Sequence, residues 1–299
     1  MIIKVKVPAT TANLGAGFDT LGMALSLYNC VYFSGESNCE VDCLKNTKML
    51  RDNNNLIYKS AARLFEICGE ELPFDLKIHQ TRNIPITRGL GSSSACIVAG
   101  LMGANKLLGL PLNNKDILKL ATELEGHPDN VAPAIFGGMV DSVYSNGEVY
   151  YVKHNVSSKL KFIAIVPNFK LSTNQSRLSL PSVVSHEDAV FNVSRSTLFV
   201  SSIVAEKFEN LNVAVDDRLH QPYRLKSIDR ADEIFNIAYE FGAYAVYLSG
   251  SGPSIIAICD KRNTLFFKRI RNELNRMNFN KWKDLDLNID NKGASVEII

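Results

Sequence analysis

The segment Pro85-Ile86-Thr87-Arg88-Gly89-Leu90-Gly91-Ser92-Ser93-Ser94-Ala95 constrains this chain more than any other, because a glycine-rich turn runs without a break into an apolar helical stretch. A helix begun this way leaves its first N–H groups without intrahelical acceptors and aims the positive end of its dipole at one point, which suits a phosphate. The spacing is not that of the GxxxxGK[ST] phosphate loop, since no lysine follows the second glycine. The alternative is an ordinary helix start, capped by serines after a tight turn. The rest of the chain decides between them.

A chain of 299 residues is longer than one core usually fills, so two domains are expected, 1–155 and 156–299. Periodicity predicts a first strand from Met1 to Val7, a loop from Pro8 to Gly17, one or two strands within Leu21 to Phe33, and a helix from Leu56 to Cys68 behind an asparagine cap. A strand from Phe74 to His79 precedes the glycine-serine loop, whose helix runs from about Ser93 to Leu108 and stops at Gly109 and Pro111. A second helix follows from Asn114 to Glu125, then strands within Ile135 to Tyr151 and from Lys161 to Val166. Helical segments are expected at His186 to Leu211, Lys226 to Phe241 and Asn263 to Asn278. Between the last two, Tyr244 to Leu248 and Ser254 to Cys259 read as a hairpin. Ala294 to Ile299 reads as a returning edge strand. The order is mixed α+β, without regular βαβα alternation.

A formal net charge of +2 gives no polyanion-binding surface, so nucleic acid is not an expected partner. The N-terminus lacks a signal-peptide core, and no apolar run reaches the roughly 18 residues that cross a bilayer, so a cytoplasmic protein with no membrane partner is expected. Cys30, Cys39, Cys43, Cys68, Cys96 and Cys259 form no CxxC pair and read as reduced, mostly buried thiols.

Three glycine-bearing motifs occur in order: Pro8-Ala9-Thr10-Thr11-Ala12-Asn13-Leu14-Gly15-Ala16-Gly17-Phe18-Asp19, then Arg88 to Ala95, then Leu248-Ser249-Gly250-Ser251-Gly252-Pro253-Ser254. Together they resemble the GHMP small-molecule kinases over nearly the whole chain. Four segments are similar to the homoserine kinase branch: the first motif, Glu123 to Ala134, Ser172 to Arg177, and Asp217 to Arg224. Ser176 stands where that branch usually has alanine, which leaves the local packing open. The resemblance implies a two-lobed GHMP kinase fold, with a ribosomal protein S5 domain 2-like N-terminal lobe and a ferredoxin-like C-terminal lobe. It also implies ATP and Mg2+ as cofactors, L-homoserine as substrate, O-phospho-L-homoserine as product on the way to threonine, and a homodimer. Another kinase of the superfamily, of mevalonate type, or a non-catalytic metabolite sensor on the same scaffold are the alternatives.

Phosphoryl transfer needs a held triphosphate, a bridging cation and an aligned hydroxyl more than it needs covalent chemistry. Arg88, Gly89, Leu90, Gly91, Ser92, Ser93 and Ser94 are the expected triphosphate cradle, with the two glycines letting backbone approach the phosphates. Ser93 is the expected hydroxyl ligand of magnesium. By resemblance Glu123 is its carboxylate, with Glu125 the other choice and a pair of solvated helix-end glutamates the alternative. Asn55 matches a family position near adenine.

A zwitterionic substrate needs an oxygen acceptor for its ammonium and guanidinium forks for its carboxylate. Asn13 and Asp19 suit the first, unless Asp19 merely caps its loop. Arg177 and Arg224 match family positions expected to grip the carboxylate. His127 and Asp129 either contact substrate or only shape a turn. Arg195 reads as a surface or structural ion pair, and His79, His154, His186 and His220 as structural. No clear general base is visible, Asp19 being the one candidate.

Overall fold

The computed structural model describes residues 2–35, 48–49, 55–73 and 75–299. Strands β1 (Ile2–Ala12) and β2 (Leu21–Ser34) form a long antiparallel hairpin, paired from Ile2↔Ser34 to Ala12↔Gly22 with a shift at Pro8/Ala9. Lys4 and Lys6 alternate with buried neighbours, but Val7 to Ala12 is buried on both faces, because the strand passes under the helices. Helix α1 (Leu56–Ile67) is capped by Asn55, whose Oδ1 accepts from Ile57 N. Strands β3 (Lys48–Met49) and β4 (Lys77–Gln80) extend the sheet on the β2 side. Phe74, Cys39 and Cys43 lie outside the described residues.

Helix α2 (Ser92–Leu107) packs on α1 closely enough that a side chain on Gly100 would strike the Ile57 carbonyl. Helix α3 (Asn114–Glu125) starts in a capping box of Asn113 and Asp116. Helix α4 (Pro128–Phe136) replaces the expected turn and strand start. Pro128 in its first turn and Asp129 beside it are helix-start signals, masked in sequence by Pro133 inside the helix. Strands β5 (Met139–Ser145) and β6 (Glu148–His154) complete the first sheet through β2.

The second sheet begins with β7 (Leu160–Val166). Helices α5 (Thr173–Leu178), α6 (His186–Val204), α7 (Leu211–Ala214), α8 (Gln221–Arg224) and α9 (Ala231–Glu240) follow, then β8 (Ala243–Leu248), β9 (Ile255–Asp260), α10 (Phe266–Arg276) and β10 (Lys283–Leu287). The sheet order β10-β7-β9-β8 is fourth-first-third-second by chain order, which is the expected ferredoxin-like arrangement. Strand β11 (Ser295–Ile298) then pairs with β1, so the C-terminus belongs to the first sheet although it follows the second lobe. One core runs from the first sheet through α1–α4 to one face of the second sheet, including Phe162, Phe199, Tyr247 and Ile256. A second core, around Ile163, Val246, Phe266 and Trp282, lies on the opposite face beneath α9 and α10. The lobes therefore share apolar packing, and the cleft between them has fixed walls.

Cys30, Cys68, Cys96 and Cys259 are free thiols; only Cys259 is fully buried, and burial pushes its pKa up to about 12. No helix among the described residues is long and apolar enough to cross a membrane.

Candidate active site

One cleft of about 350 Å³ lies between the lobes, and both the start of α2 and the first glycine loop line it. Gly91, at φ +66°, occupies the N-cap of α2 and no side chain caps the helix. The N–H groups of Ser92, Ser93 and Ser94 thus have neither cap nor intrahelical acceptor. The serine hydroxyls turn elsewhere: Ser93 Oγ and Ser94 Oγ donate to Glu125 Oε1 at 2.6 and 2.7 Å. The geometry is therefore that of an anion cradle rather than of a serine-capped helix.

The glycines of this loop have a reason that the sequence did not show. A Cβ on Gly89 (φ +71°) would overlap the backbone carbonyl oxygen of Ser249, and one on Gly91 would overlap Thr10 Oγ1. They admit protein, the third glycine motif and β1, as well as any phosphate. The loop is further tied by Ser249 Oγ donating to Gly89 O at 2.5 Å, Ser254 N to Arg88 O at 3.3 Å and Thr10 N to Leu90 O at 3.3 Å. Arg88, expected to touch ATP, lines the cleft but donates to the carbonyls of Pro167 and Asn168 at 2.9 Å and to those of Ile86 and Thr87 at 3.3 Å, bracing one lobe on the other. Leu90, expected in the cradle, is buried and does not line the cleft.

Glu123, expected by resemblance to be the magnesium carboxylate, is exposed and does not line the cleft, whereas Glu125, the other choice, does. Two residues along an α-helix turn a side chain through about 200°, so only one of the pair can face the loop. Asn55 lines the opposite wall, with its Oδ1 already engaged in capping α1.

At the other end of the cleft, Asn13 (φ +69°) donates from Nδ2 to Gly250 O at 3.0 Å, and its Oδ1 accepts from Asp19 N at 3.1 Å. Asn13 lines the cleft, but its amide joins the first and third glycine motifs and holds Asp19 in place. Asp19 accepts from both terminal nitrogens of Arg177, at 2.9 and 2.8 Å, a two-bond fork across the cleft. His127 and Asp129 are bonded to each other, and Asp129 Oδ1 also accepts from Asn130 Nδ2 at 3.2 Å. Burial alone would lower the His127 pKa; the bond to Asp129 and the negative charges of Asp129, Glu125 and Asp19 outweigh it and raise it.

Arg224 differs from the other cations. It is only 4% exposed, its Nε has no partner, and Nη1 donates to Gly250 O at 3.0 Å and approaches His220 Nδ1 at 3.5 Å. Burial, with the charge of Arg177 against it, lowers its pKa to about 10, still cationic at neutral pH. Arg224 thus lines the cleft as a buried cation whose own surroundings satisfy it only in part.

His220, expected to be structural, and Asp217 stand at the start of the helix that carries Arg224. His220 is fully buried and stacks on Phe18 with ring centroids 5.2 Å apart, and Asp217 accepts from the backbone N–H groups of Leu219, His220 and Gln221. His220 is the N-cap of α8, and Asp217 accepts from the N–H groups at its start. Arg177 and Arg224 lie in short helices, α5 and α8, rather than in loops. Ser176 settles its own question, since its hydroxyl donates to Ser251 O at 3.0 Å. Arg195 lies 3.5 Å over the Phe191 ring and is not among the residues lining the cleft.

Two donor sets could hold a cation. Glu125 with the Ser93 hydroxyl is all oxygen and adjoins the anion cradle, which suits a hard ion such as magnesium. Asp19, His127 and Asp129 also offer ligand atoms within 4.8 Å of one another, but Arg177 already engages both Asp19 oxygens and His127 Nδ1 is bonded to Asp129, so fewer of those atoms are free for a metal cation.

The family model "GHMP kinases N terminal domain" matches residues 55–138, and "GHMP kinases C terminal" matches residues 199–276. The chain is 44% identical over 299 residues to the homoserine kinase of Clostridium beijerinckii, covering 99% of this chain and 98% of that one. It is 43% identical to the homoserine kinase of Caldicellulosiruptor bescii over 99% of this chain and 97% of the relative. Among solved structures, homoserine kinase from Cytophaga hutchinsonii superposes with a TM-score of 0.86 at 27% identity, covering 99% and 97% of the two chains.

Proposed function

Because the chain belongs to the GHMP kinases, in their homoserine kinase family, we propose that its cleft transfers the γ-phosphoryl group of ATP to the side-chain hydroxyl of L-homoserine, giving O-phospho-L-homoserine and ADP. The supporting observation is that a single cleft is lined by the uncapped start of α2 and by Asp19, Arg177 and Arg224. The first binds a triphosphate and the second a zwitterion, so a hydroxyl between them faces the terminal phosphate. Mevalonate carries no ammonium and would leave the acidic groups unmatched.

The amides of Ser92, Ser93 and Ser94 stabilise negative charge on the phosphates as it shifts during transfer. Glu125 and Ser93 would hold a magnesium ion, which would supply positive charge against that of the phosphates. Replacing Glu125 by Gln should lower kcat at least tenfold and raise the magnesium concentration for half-activity, whereas Glu123→Gln should leave both within twofold. The reverse pattern in a magnesium titration would return the role to Glu123.

Asp129 and Asp19 receive the substrate ammonium, and Arg224 with Arg177 receives its carboxylate. Both Asp19 carboxylate oxygens already accept guanidinium bonds and are not free to take the hydroxyl proton, so proton loss follows phosphoryl transfer rather than preceding it. Asp19→Asn is expected mainly to raise KM for homoserine. A large fall in kcat at unchanged KM would make Asp19 the base.

A coupled ADP-release assay across homoserine, mevalonate, galactose and shikimate tests the substrate. Turnover of mevalonate without homoserine overturns the assignment, and no turnover of any of them favours a sensor. A cytoplasmic homodimer is part of the proposal, with the outer face of the β5–β6 hairpin, where Val143, Tyr150 and Val152 are exposed, as its contact. A solution mass equal to the single chain's 33.1 kDa by light scattering would end the dimer.

A further inference from the structure

His220 touches nothing that reacts, yet it joins the two loops that build the substrate end of the cleft. Its Nε2 lies 2.8 Å from Gly15 O, in the first glycine motif, and 3.5 Å from Asp217 Oδ2. A carbonyl oxygen can only accept, so Nε2 carries the proton. In a neutral ring Nδ1 then presents a lone pair, and it faces Arg224 Nη1 at 3.5 Å. The ring is fully buried against Phe18, whose other contacts include the guanidinium groups of Arg177 at 5.7 Å and Arg224 at 5.1 Å from the ring centre.

We propose that His220 is a positioning residue for the substrate carboxylate: as the neutral Nε2–H tautomer it anchors on the Gly15 carbonyl and accepts from Arg224 Nη1. The Arg224 guanidinium, which lines the cleft, is thereby fixed in orientation, with Nη1 committed to His220 and to the Gly250 carbonyl. The proposal rests on the homoserine reading. A neutral imidazole is suited to this place because a protonated one would set a donor against a guanidinium, where only an acceptor can bond. Burial, the dominant influence, favours the neutral ring as well by lowering its pKa.

Two isosteric replacements separate the two ring nitrogens. Asparagine places its Oδ1 near the position of Nδ1 and keeps an acceptor for Arg224, whereas glutamine reaches the Gly15 carbonyl and loses that acceptor. His220→Gln should raise KM for homoserine at least tenfold with kcat and KM for ATP within threefold, and His220→Asn should restore KM to within about threefold of the parent. Equal KM in both variants and the parent, or losses shared equally between homoserine and ATP, overturns the proposal. Nitrogen-15 spectra of the parent protein's imidazoles give a test independent of variant folding. The Nε2–H tautomer is expected for His220, and an Nδ1–H tautomer or a charged ring at neutral pH overturns it. A parent active on homoserine with unaltered variants sinks this inference alone; a parent inactive on homoserine sinks the substrate reading and this inference with it.

Discussion

Replacing Arg224 by methionine is expected to lower kcat/KM for homoserine by about a hundredfold to a thousandfold while leaving the melting temperature unchanged or higher. The two halves of this result have one cause. Arg224 is buried with an orphaned Nε, and its pKa is lowered by burial, so the folded protein carries a desolvated charge that its own groups only partly compensate. An apolar side chain of similar length removes that cost. The Gly250 carbonyl keeps a donor, because Asn13 Nδ2 also bonds it at 3.0 Å. Substrate binding, in contrast, loses a charge-assisted contact made out of water, which costs about 2–5 kcal/mol when one partner is truncated. Steady-state kinetics and a thermal melt on the same preparation check both halves. A KM for homoserine within threefold of the parent, or an equal loss in KM for ATP, would show that Arg224 is not the carboxylate receptor.

Gly89→Ala is expected to destabilise the fold by about 2–5 kcal/mol, combining a left-handed backbone on a residue with Cβ and an overlap with neighbouring backbone. For a chain of this size that is roughly 3–8 °C in melting temperature. The obstacle is the carbonyl oxygen of Ser249, which cannot rotate away as a side chain would. Ser249 is held in turn by its N–H on Ser254 O at 2.9 Å and its hydroxyl on Gly89 O and Thr11 Oγ1. Relief of the overlap must therefore part the glycine-serine loop from the C-terminal hairpin, and ATP affinity should fall along with stability. Gly109→Ala serves as the control: its φ is also positive, at +83°, but a Cβ there meets nothing within 4 Å, so only the backbone strain of about 1–2 kcal/mol is expected. Equal melting temperatures for the two variants would remove the close packing at Gly89 as the cause.

Much of the site is written in local sequence. A turn with two glycines before an apolar run becomes an uncapped helix start, and Asn55 before Leu56 becomes a cap. Ser249 to Pro253 between two β-rich pieces becomes the hairpin turn joining β8 and β9. These features depend on residues within a few positions of each other, where backbone geometry and side-chain chemistry act directly. The choice between Glu123 and Glu125 was not of this kind. Both lie at the end of one helix, and only the packing of α3 against α2 says which of them faces Ser93 and Ser94. Helix α4 was hidden for another reason. Pro133 reads as a breaker, and its toleration depends on Gly22, which leaves room for the Asp129 carbonyl where a Cβ would collide.

The sequence by itself determined the mixed α+β class, the three glycine turns and the presence of arginine and acid groups suited to a zwitterion, because each is fixed by residue type and short-range spacing. Tertiary structure alone decided that Asp19 meets Arg177 across 158 positions of chain, that the partner of the returning strand β11 is β1, and that His220 lies behind Arg224 with one nitrogen on Gly15. Those juxtapositions arise when two sheets close on a shared core, and a shared core is a property of the whole chain's packing rather than of any window within it.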